Sequence, residues 1–167
     1  MSNEYMILGI SFYWEKRKGL DVFLRLANTL DDRYKIVLVG TNDEVDKMLP
    51  TSIISIHNTS DQNELSEIYT AADVVVNPTR EDNFPTVNIE SLACGTPVIT
   101  FITGGSAEII DNMSGIGVEQ DDYAGLVTAI TDVCEKGLLE KDDCIKRSKC
   151  FDRYQKFQEY AELYQVI

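Results

Sequence analysis

Apolar runs alternate with amphipathic segments along the whole chain. Six short runs are apolar almost throughout, which is typical of buried strands: EYMILGI, YKIVLVG, SIISI, DVVVNP, PVITFI and GIGVEQ. The segments between them repeat their apolar positions with a helical period, as the segment after the first run does at Leu20, Phe23, Leu24, Ala27 and Leu30. Strands of this kind that alternate with helices indicate a parallel sheet covered on both faces.

Six strands joined by helical crossovers predict an α/β fold, namely a doubly wound, Rossmann-like sheet of six parallel strands. Ligands of such sheets bind outside the carboxyl ends of the strands, near the point where the strand order reverses. The segments to inspect therefore follow the first, fourth and fifth strands, at residues 11–19, 77–85 and 102–106. The chain has no internal repeat, low-complexity tract or linker, so we expect one domain over residues 1–167.

Composition and charge narrow the classes of function. The formal net charge of −13 argues against general binding to nucleic acids or anionic membranes, because such binding needs a basic face. No apolar run is long enough to span a membrane, and the start MSNEYMILGI lacks the features of a signal peptide. The four cysteines form no CxxC pair and there is one histidine, so we expect no metal-ligand set. Free thiols fit a cytoplasmic protein.

Basic residues stand in the loop after the first strand. This loop lacks the pattern G-x-G-x-x-G, which weakens a dehydrogenase interpretation. It carries Lys16, Arg17 and Lys18 directly before a helix that we expect to begin near Gly19. Cationic side chains over a helix N-terminus favour a phosphate site. The alternative is that the three residues are an ordinary solvated charge run.

The loop after the fourth strand offers further polar groups at the same edge. Pro85 is expected to begin a helix whose first N–H groups, at Thr86 and Val87, have no intrahelical partner and suit a diphosphate. Asp82 and Glu90 stand eight residues apart across the start of that helix. Carboxylates there can hold the hydroxyls of a ribose and of another polyol. In the alternative interpretation, Glu90 is an exposed helix residue and Asp82 stabilises the helix dipole.

The segment REDNFPTVNIESLACGTPVITFITGGSAEIID, residues 80–111, resembles the signature region of retaining family 4 glycosyltransferases. The family pattern of an acid and a glutamate separated by seven residues falls on Asp82 and Glu90. The break ACGTPVI and the turn from Gly104-Gly105 to Glu108 also match. LSEIYTAADVVVNPT and KGLDVFLRLANTL are similar to neighbouring family segments, so the resemblance covers nearly the whole chain.

The resemblance implies a GT-B enzyme, built from two Rossmann-like domains, of which this chain is the C-terminal half that binds the nucleotide sugar. It implies that Lys18 contacts the diphosphate and stabilises the leaving nucleotide, that Glu90 holds the ribose diol, and that Asp82 lies near the donor sugar. The remaining donor-binding positions that we expect on this basis are Glu81, Asn83, Phe84, Thr86, Val87, Gly104 and Gly105.

This chain departs from the family after the first-strand glycine, where an arginine is common and Ile10 and Ser11 stand here. Lys16 or Arg17 is expected to replace that cation. The resemblance implies a UDP- or GDP-sugar as substrate, with no metal or other cofactor for the chemistry. The acceptor, a polysaccharide or glycolipid, would bind to an N-terminal domain that this chain lacks, and any approach to a membrane would occur through that domain. We therefore expect weak donor binding and little transfer by this chain alone.

Two competing functions remain open, and three residues have open roles. The chain could be a stand-alone, non-catalytic nucleotide-binding or interaction domain. An epimerase of related fold fits the signature region less well. A phosphoaccepting receiver domain is not favoured, because it needs acids at the end of the first strand, where the chain reads LGIS. His57 either contacts a nucleotide base or is an ordinary loop residue. Tyr13 and Trp14 either stack on a base or sugar or serve packing, and we expect packing.

Overall fold

A computed structural model describes residues 4–165 of the chain. Its sheet has six strands: β1 (Tyr5–Ile10), β2 (Tyr34–Val39), β3 (Ile53–Ile56), β4 (Val74–Asn77), β5 (Val98–Phe101) and β6 (Gly115–Val118). All neighbouring strands pair in parallel, in the order β3-β2-β1-β4-β5-β6. The predicted doubly wound sheet is therefore confirmed, and its strand order reverses between β1 and β4.

The helices fall inside the segments that the apolar spacing predicts. They are α1 (Leu20–Thr29), α2 (Asp43–Asp46), α3 (Gln62–Ala71), α4 (Thr86–Ala93), α5 (Ser106–Ile109), α6 (Tyr123–Lys136), α7 (Lys141–Ser148) and α8 (Arg153–Gln165). Two 3₁₀ turns are added, at Lys16–Lys18 and Lys149–Phe151. The segment DRYQKFQEYAELYQVI predicts a helix to the end of the chain; α8 is described to Gln165, and residues 166 and 167 lie outside the described residues. Among the described helices, none is long and apolar enough to cross a lipid bilayer.

Successive residues of each strand supply two apolar cores, one on each face of the sheet. Ile7 of β1 packs into the core under α1 and α6, and Leu8 packs into the opposite core under α3 and α4. Both side chains are fully buried. This alternation explains why the strands are apolar almost throughout, since successive residues of an internal parallel strand face one helix layer and then the other.

The buried face of α1 differs from the predicted one. Leu20 and Phe23 are buried as expected, whereas Leu24, Ala27 and Leu30 are only partly buried. Val22 and Leu26 are buried in addition. The helix is rotated about its axis so that Val22 and Leu26 also face the sheet, a tertiary adjustment that spacing along the sequence does not specify.

Gly19 joins the 3₁₀ turn to α1 and brings both against the exit of β4. Its φ of 79° lies in the left-handed region that favours glycine. A Cβ at this position would lie 2.5 Å from Cγ of Pro78. The close contact between the two segments therefore requires glycine, and it sets the spacing of the two loops at the switch in strand order.

Candidate functional site

Two neighbouring cavities open at the carboxyl edge of the sheet. The β1/β4 cavity, of about 420 Å³, is lined by residues 10–14, 17, 18, 76–78, 82 and 84–87. The β1/β3 cavity, of about 340 Å³, is lined by residues 10–12, 39, 40, 57–59, 65, 86, 87 and 90. Both cavities include Thr86 and Val87 in their walls. The first turn of α4 therefore lies between two compartments at the predicted edge.

Lys18 and Asp82 meet in the wall of the β1/β4 cavity. Nζ of Lys18 donates to Oδ2 of Asp82 over 2.6 Å, and each side chain is 22% exposed. The two residues are 64 positions apart in the sequence. They meet because β1 and β4 are neighbours in the sheet and their exit loops lie side by side.

The structure separates the two residues that could supply a second cation. Arg17 lines the β1/β4 cavity, and its guanidinium donates to Oε1 of Glu15 at 3.0 Å and to the carbonyl of Glu81 at 3.3 Å. Lys16 is exposed and is not among the residues that line the cavity. Of the two predicted candidates, Arg17 is therefore the one that the fold brings to the site.

Arg80 is a structural residue of the site that sequence analysis missed. Its guanidinium forms ion pairs with Asp21 at 2.8 Å and Asp121 at 2.7 Å and also donates to the carbonyl of Lys16. Its backbone N–H donates to the carbonyl of Arg17 at 2.9 Å. The hydrogen bond from Arg80 lowers the pKa of Asp121. No sequence signal identifies Arg80, because these partners are far from it in the chain.

The N-terminus of α4 presents free amides to the site. Pro85 is the N-cap residue and provides no side-chain hydrogen bond to the helix. Among the described residues, the backbone N–H groups of Thr86 and Val87 have no recorded hydrogen-bond partner. Phe84 joins them in the cavity wall, whereas Glu81 and Asn83 are exposed outside it. The expected contacts of Glu81 and Asn83 with a ligand stay predictions.

Gly104 and Gly105 lie behind the loop that carries Asp82. A Cβ at Gly104 would overlap the carbonyl of Asp82, and one at Gly105 would overlap the carbonyl of Asn83. The N–H of Gly105 donates to that Asn83 carbonyl at 3.0 Å. Neither glycine lines the two cavities. The pair supports the loop from below, and its direct contact with a ligand stays a prediction.

Glu90 faces the β1/β3 cavity together with Thr86, one turn earlier on the same face of α4. Its Oε2 accepts a hydrogen bond of 2.8 Å from the hydroxyl of Tyr69, which is 1% exposed. Burial, followed by the charge of Glu90, raises the pKa of Tyr69, so this phenol stays a neutral donor. Tyr69, which no motif in the sequence marks, therefore fixes one carboxylate oxygen of Glu90.

His57 also lines the β1/β3 cavity and is held by Asp46 of α2. Nε2 of His57 lies 2.7 Å from Oδ2 of Asp46. The ligand atoms of Asp43, Asp46 and His57 all lie within 4.8 Å of one another. Sequence analysis did not foresee this group, since the spacing of the three residues matches no metal motif. The hydrogen bond accounts for the closeness of His57 and Asp46, and Asp43 begins the same short helix, α2.

The aromatic residues after β1 divide into one packing residue and two exposed ones. Trp14 is buried and packs edge-on against Phe23, with 5.4 Å between the ring centroids. It also donates its indole N–H to the carbonyl of Val39 at 3.0 Å. The packing prediction is thus confirmed for Trp14. It is wrong for Tyr13, which is 78% exposed at the β1/β4 cavity because the chain turns outward at Ser11. Phe12, beside it, is exposed as well.

Comparisons with known proteins agree on one family. The family model described as "Glycosyl transferases group 1" matches residues 4–136. The D-inositol 3-phosphate glycosyltransferase of Mycolicibacterium smegmatis is 30% identical over 117 residues, covering 70% of this chain and 23% of that protein. A glycosyltransferase structure from Rickettsia africae has a TM-score of 0.83 at 21% identity, covering 99% of this chain and 48% of that one. HepE from Anabaena, solved in complex with UDP-glucose, has a TM-score of 0.79 at 17% identity, covering 99% of this chain and 50% of that one.

These matches fix the fold and the family. The chain spans about half the length of the two solved structures, which cover it almost completely and share its fold. The family model covers residues 4–136, and the signature region at residues 80–111 lies inside that range. The resemblance to family 4 glycosyltransferases of the GT-B type is therefore confirmed, and the chain belongs to the glycosyl transferases group 1 family.

Proposed function

We propose that the crevice binds the nucleotide-sugar donor of a retaining glycosyltransferase, with the diphosphate in the β1/β4 cavity and the ribose in the β1/β3 cavity. One observation carries the proposal. Lys18 and the free amides of Thr86 and Val87 share the first cavity, while Glu90 lies in the second, across the first turn of α4. The order of these groups matches the order of diphosphate and pentose in a nucleotide sugar.

The local electrostatics suit a diphosphate although the chain is acidic. Lys18 and Arg17 bring two positive charges to one cavity, and the N-terminus of α4 adds its partial positive charge. Guanidinium and ammonium groups together with backbone N–H groups are common phosphate ligands. In a protein of net charge −13, this crevice concentrates the groups that can hold an anion.

The same arrangement can support transfer of the sugar. Cleavage of the bond between the sugar and the diphosphate leaves negative charge on the departing nucleotide, and Lys18 lies where it would stabilise that charge. Asp82, beside Lys18, would accept hydrogen bonds from hydroxyls of the donor sugar. We assign the stabilisation of the leaving group to Lys18, Arg17 and the amides of α4, so no metal ion is needed in this scheme.

The donor that we favour is a UDP-sugar, because the solved relative HepE is described with UDP-glucose. A polysaccharide or glycolipid acceptor would bind on a second domain of a longer enzyme, as the length of the solved relatives suggests. The chain studied alone would then bind the donor weakly and transfer little sugar.

Isothermal titration calorimetry with UDP-, GDP- and ADP-sugars tests donor binding. We expect one class to bind, and Lys18→Ala to weaken its binding by roughly 10- to 100-fold, the usual effect of losing a hydrogen bond to a charged group. Lys136→Ala is a matched control, since Lys136 is an exposed lysine at the end of α6, 67% exposed and paired with Asp132. It should bind as the wild type does.

Two results would contradict the proposal. The first is the absence of binding heat with every nucleotide sugar by a chain whose circular dichroism spectrum shows it to be folded. The second is unchanged binding by Lys18→Ala, which would place the diphosphate elsewhere.

A further inference from the structure

We propose that His57, oriented by Asp46, selects nucleobases that carry a ring N–H, namely uracil or guanine, over cytosine or adenine. The inference rests on the proposed donor site and extends it to the identity of the base. His57 would contact the base directly in the β1/β3 cavity. Asp46 would act through His57 and is therefore a positioning residue.

The hydrogen bond to Asp46 determines which nitrogen of His57 carries the proton. Oδ2 of Asp46 lies 2.7 Å from Nε2 of His57. Hydrogen bonds from Ser55 and then His57 lower the pKa of Asp46, which keeps this carboxylate ionised. An ionised carboxylate can only accept, so Nε2 must donate its hydrogen. In the neutral ring Nδ1 then has a free lone pair and is a hydrogen-bond acceptor.

A chain of hydroxyl groups holds the Asp46 carboxylate in place. Oγ of Ser55 donates to Oδ1 of Asp46 at 2.5 Å, and Oγ1 of Thr41 lies 2.6 Å from Oγ of Ser55. Because the single hydroxyl proton of Ser55 is used on Asp46, Thr41 must be the donor to Ser55. Thr41 is 6% exposed. The direction of every bond from Thr41 to His57 is thus fixed before a ligand arrives.

The cavity around His57 suits a flat base next to a ribose. Ile10, Val39 and Leu65 supply apolar walls, while Glu90 lies in the same cavity for the ribose hydroxyls. Among the described residues, no hydrogen bond is recorded for Nδ1 of His57. His57 lines this cavity, and a few polar groups among apolar walls are the usual source of ligand specificity.

The hydrogen-bonding groups of the bases explain how Nδ1 of His57, as an acceptor, could discriminate between them. Uracil presents N3–H and guanine presents N1–H at the middle of the pairing edge, where cytosine and adenine present an unprotonated nitrogen. An acceptor facing a second acceptor leaves both unpaired, and sites built around one hydrogen bond reject analogues that lack its partner. His57 would therefore favour UDP over CDP, which have nearly the same size.

The ratio of the dissociation constant of CDP to that of UDP, measured by calorimetry at pH 8, tests the inference. We expect the wild type to favour UDP by about tenfold, the value of one hydrogen bond. His57→Phe keeps a flat ring but loses Nδ1, and its ratio should fall to about one while CDP affinity is retained. Asp46→Asn removes the ionised acceptor, so either nitrogen of the His57 ring can carry the proton. The ratio of the two dissociation constants should therefore fall in this variant too.

A matched control separates base selection from a change in stability. Glu44→Gln makes the same change of charge on the same helix, at a side chain that pairs with Lys47 on the surface. It should keep the wild-type ratio, and thermal unfolding of all variants should show that each is folded. GDP and ADP form the second pair of ligands, and a preference for GDP over ADP that His57→Phe removes would support the inference with guanine as the base.

Three outcomes would overturn the inference. Equal binding of UDP and CDP and of GDP and ADP by the wild type, with dependence on Lys18 intact, would refute base selection while leaving the donor site in place. A wild-type preference that His57→Phe keeps unchanged would assign the selection to another residue. If no nucleoside diphosphate binds, the donor site and the inference fail together.

Discussion

The ion pair between Lys18 and Asp82 places opposite charges at the point where a diphosphate is proposed to bind. The two side chains are only 22% exposed, so the pair is partly shielded from water. Asp82 keeps the flexible Lys18 side chain at the cavity wall before the donor arrives. It also competes with the diphosphate for the same ammonium group. In the proposed site, the pair would favour a complete nucleotide sugar, whose hydroxyls can engage Asp82, over the nucleotide alone.

Substituting Asp82 should change the preference between UDP and a UDP-sugar. In Asp82→Asn, Lys18 loses its competing anion, so UDP should bind a few-fold more tightly, consistent with roughly 1 kcal/mol for a partly exposed pair. The advantage of the UDP-sugar over UDP should shrink, because the sugar hydroxyls lose a charged acceptor. Calorimetry with both ligands measures the two effects.

Glu67→Gln provides the control for the change in net charge, since Glu67 is exposed on α3 and lines neither cavity. It should leave both affinities at their wild-type values. Weaker binding of UDP by Asp82→Asn would contradict the competition between Asp82 and the diphosphate.

At the residue scale, sequence predicts those site residues that a local pattern marks. Lys18, Asp82 and Glu90 stand at fixed distances from a glycine, a proline or one another, and all three line the cavities. Arg80 and Asp46 could not be found in this way. Arg80 acts through Asp21 and Asp121, which are distant in the sequence and meet it only in the folded chain. Asp46 acts through His57, which it meets only when the chain turns from α2 through β3.

At the element scale, the loop between β4 and α4 is supported on two sides. Arg80 ties its start to the 3₁₀ turn that carries Lys18. Gly104 and Gly105 pack beneath Asp82 and Asn83 without room for a side chain. The position of Asp82 therefore depends on the segment after β5 as well as on its own loop.

Gly104→Ala should displace the Asp82 loop and weaken donor binding as well as stability. The φ of 48° is strained for alanine, and the new Cβ would also overlap the carbonyl of Asp82. We expect a loss of about 2–4 kcal/mol in the free energy of unfolding, from backbone strain and overlap together. Urea unfolding measures the stability, and calorimetry with the UDP-sugar measures the affinity.

Gly137→Ala is the matched control for backbone strain. Gly137 has a φ of 58°, and nothing lies within 4 Å of a Cβ built there. This variant should lose only about 1–2 kcal/mol of stability from strain and should keep the wild-type affinity. Equal losses in both variants, with donor binding unchanged in Gly104→Ala, would show that the contact beneath Asp82 does not position the loop.

Elements were easier to predict than the orientation of their side chains. Continuous apolar runs and the 3.6-residue period reflect burial, which is complete for β5 and covers all of β4 except its last residue, so the strands and helices were found. The rotation of α1 and the outward turn at Tyr13 depend on contacts made after the elements pack. A local apolar pattern therefore does not predict them.

At the scale of the whole molecule, the strand order β3-β2-β1-β4-β5-β6 explains how one acidic chain gathers groups suited to an anionic ligand. The reversal between β1 and β4 sets two exit loops side by side, and each begins a helix at the same edge. Lys18, Arg17 and the amides of α4 then converge although the net charge is −13. The location of the ligand site is thus a property of the topology, while its chemistry belongs to a few residues.

A crystal structure of this chain with UDP tests the central claim most directly. The account predicts both phosphates in the β1/β4 cavity, about 2.7–3.2 Å from Nζ of Lys18 and from the N–H groups of Thr86 and Val87. It also predicts the ribose hydroxyls on Glu90 in the β1/β3 cavity. Phosphates bound away from the N-terminus of α4, with Lys18 still paired to Asp82, would contradict it.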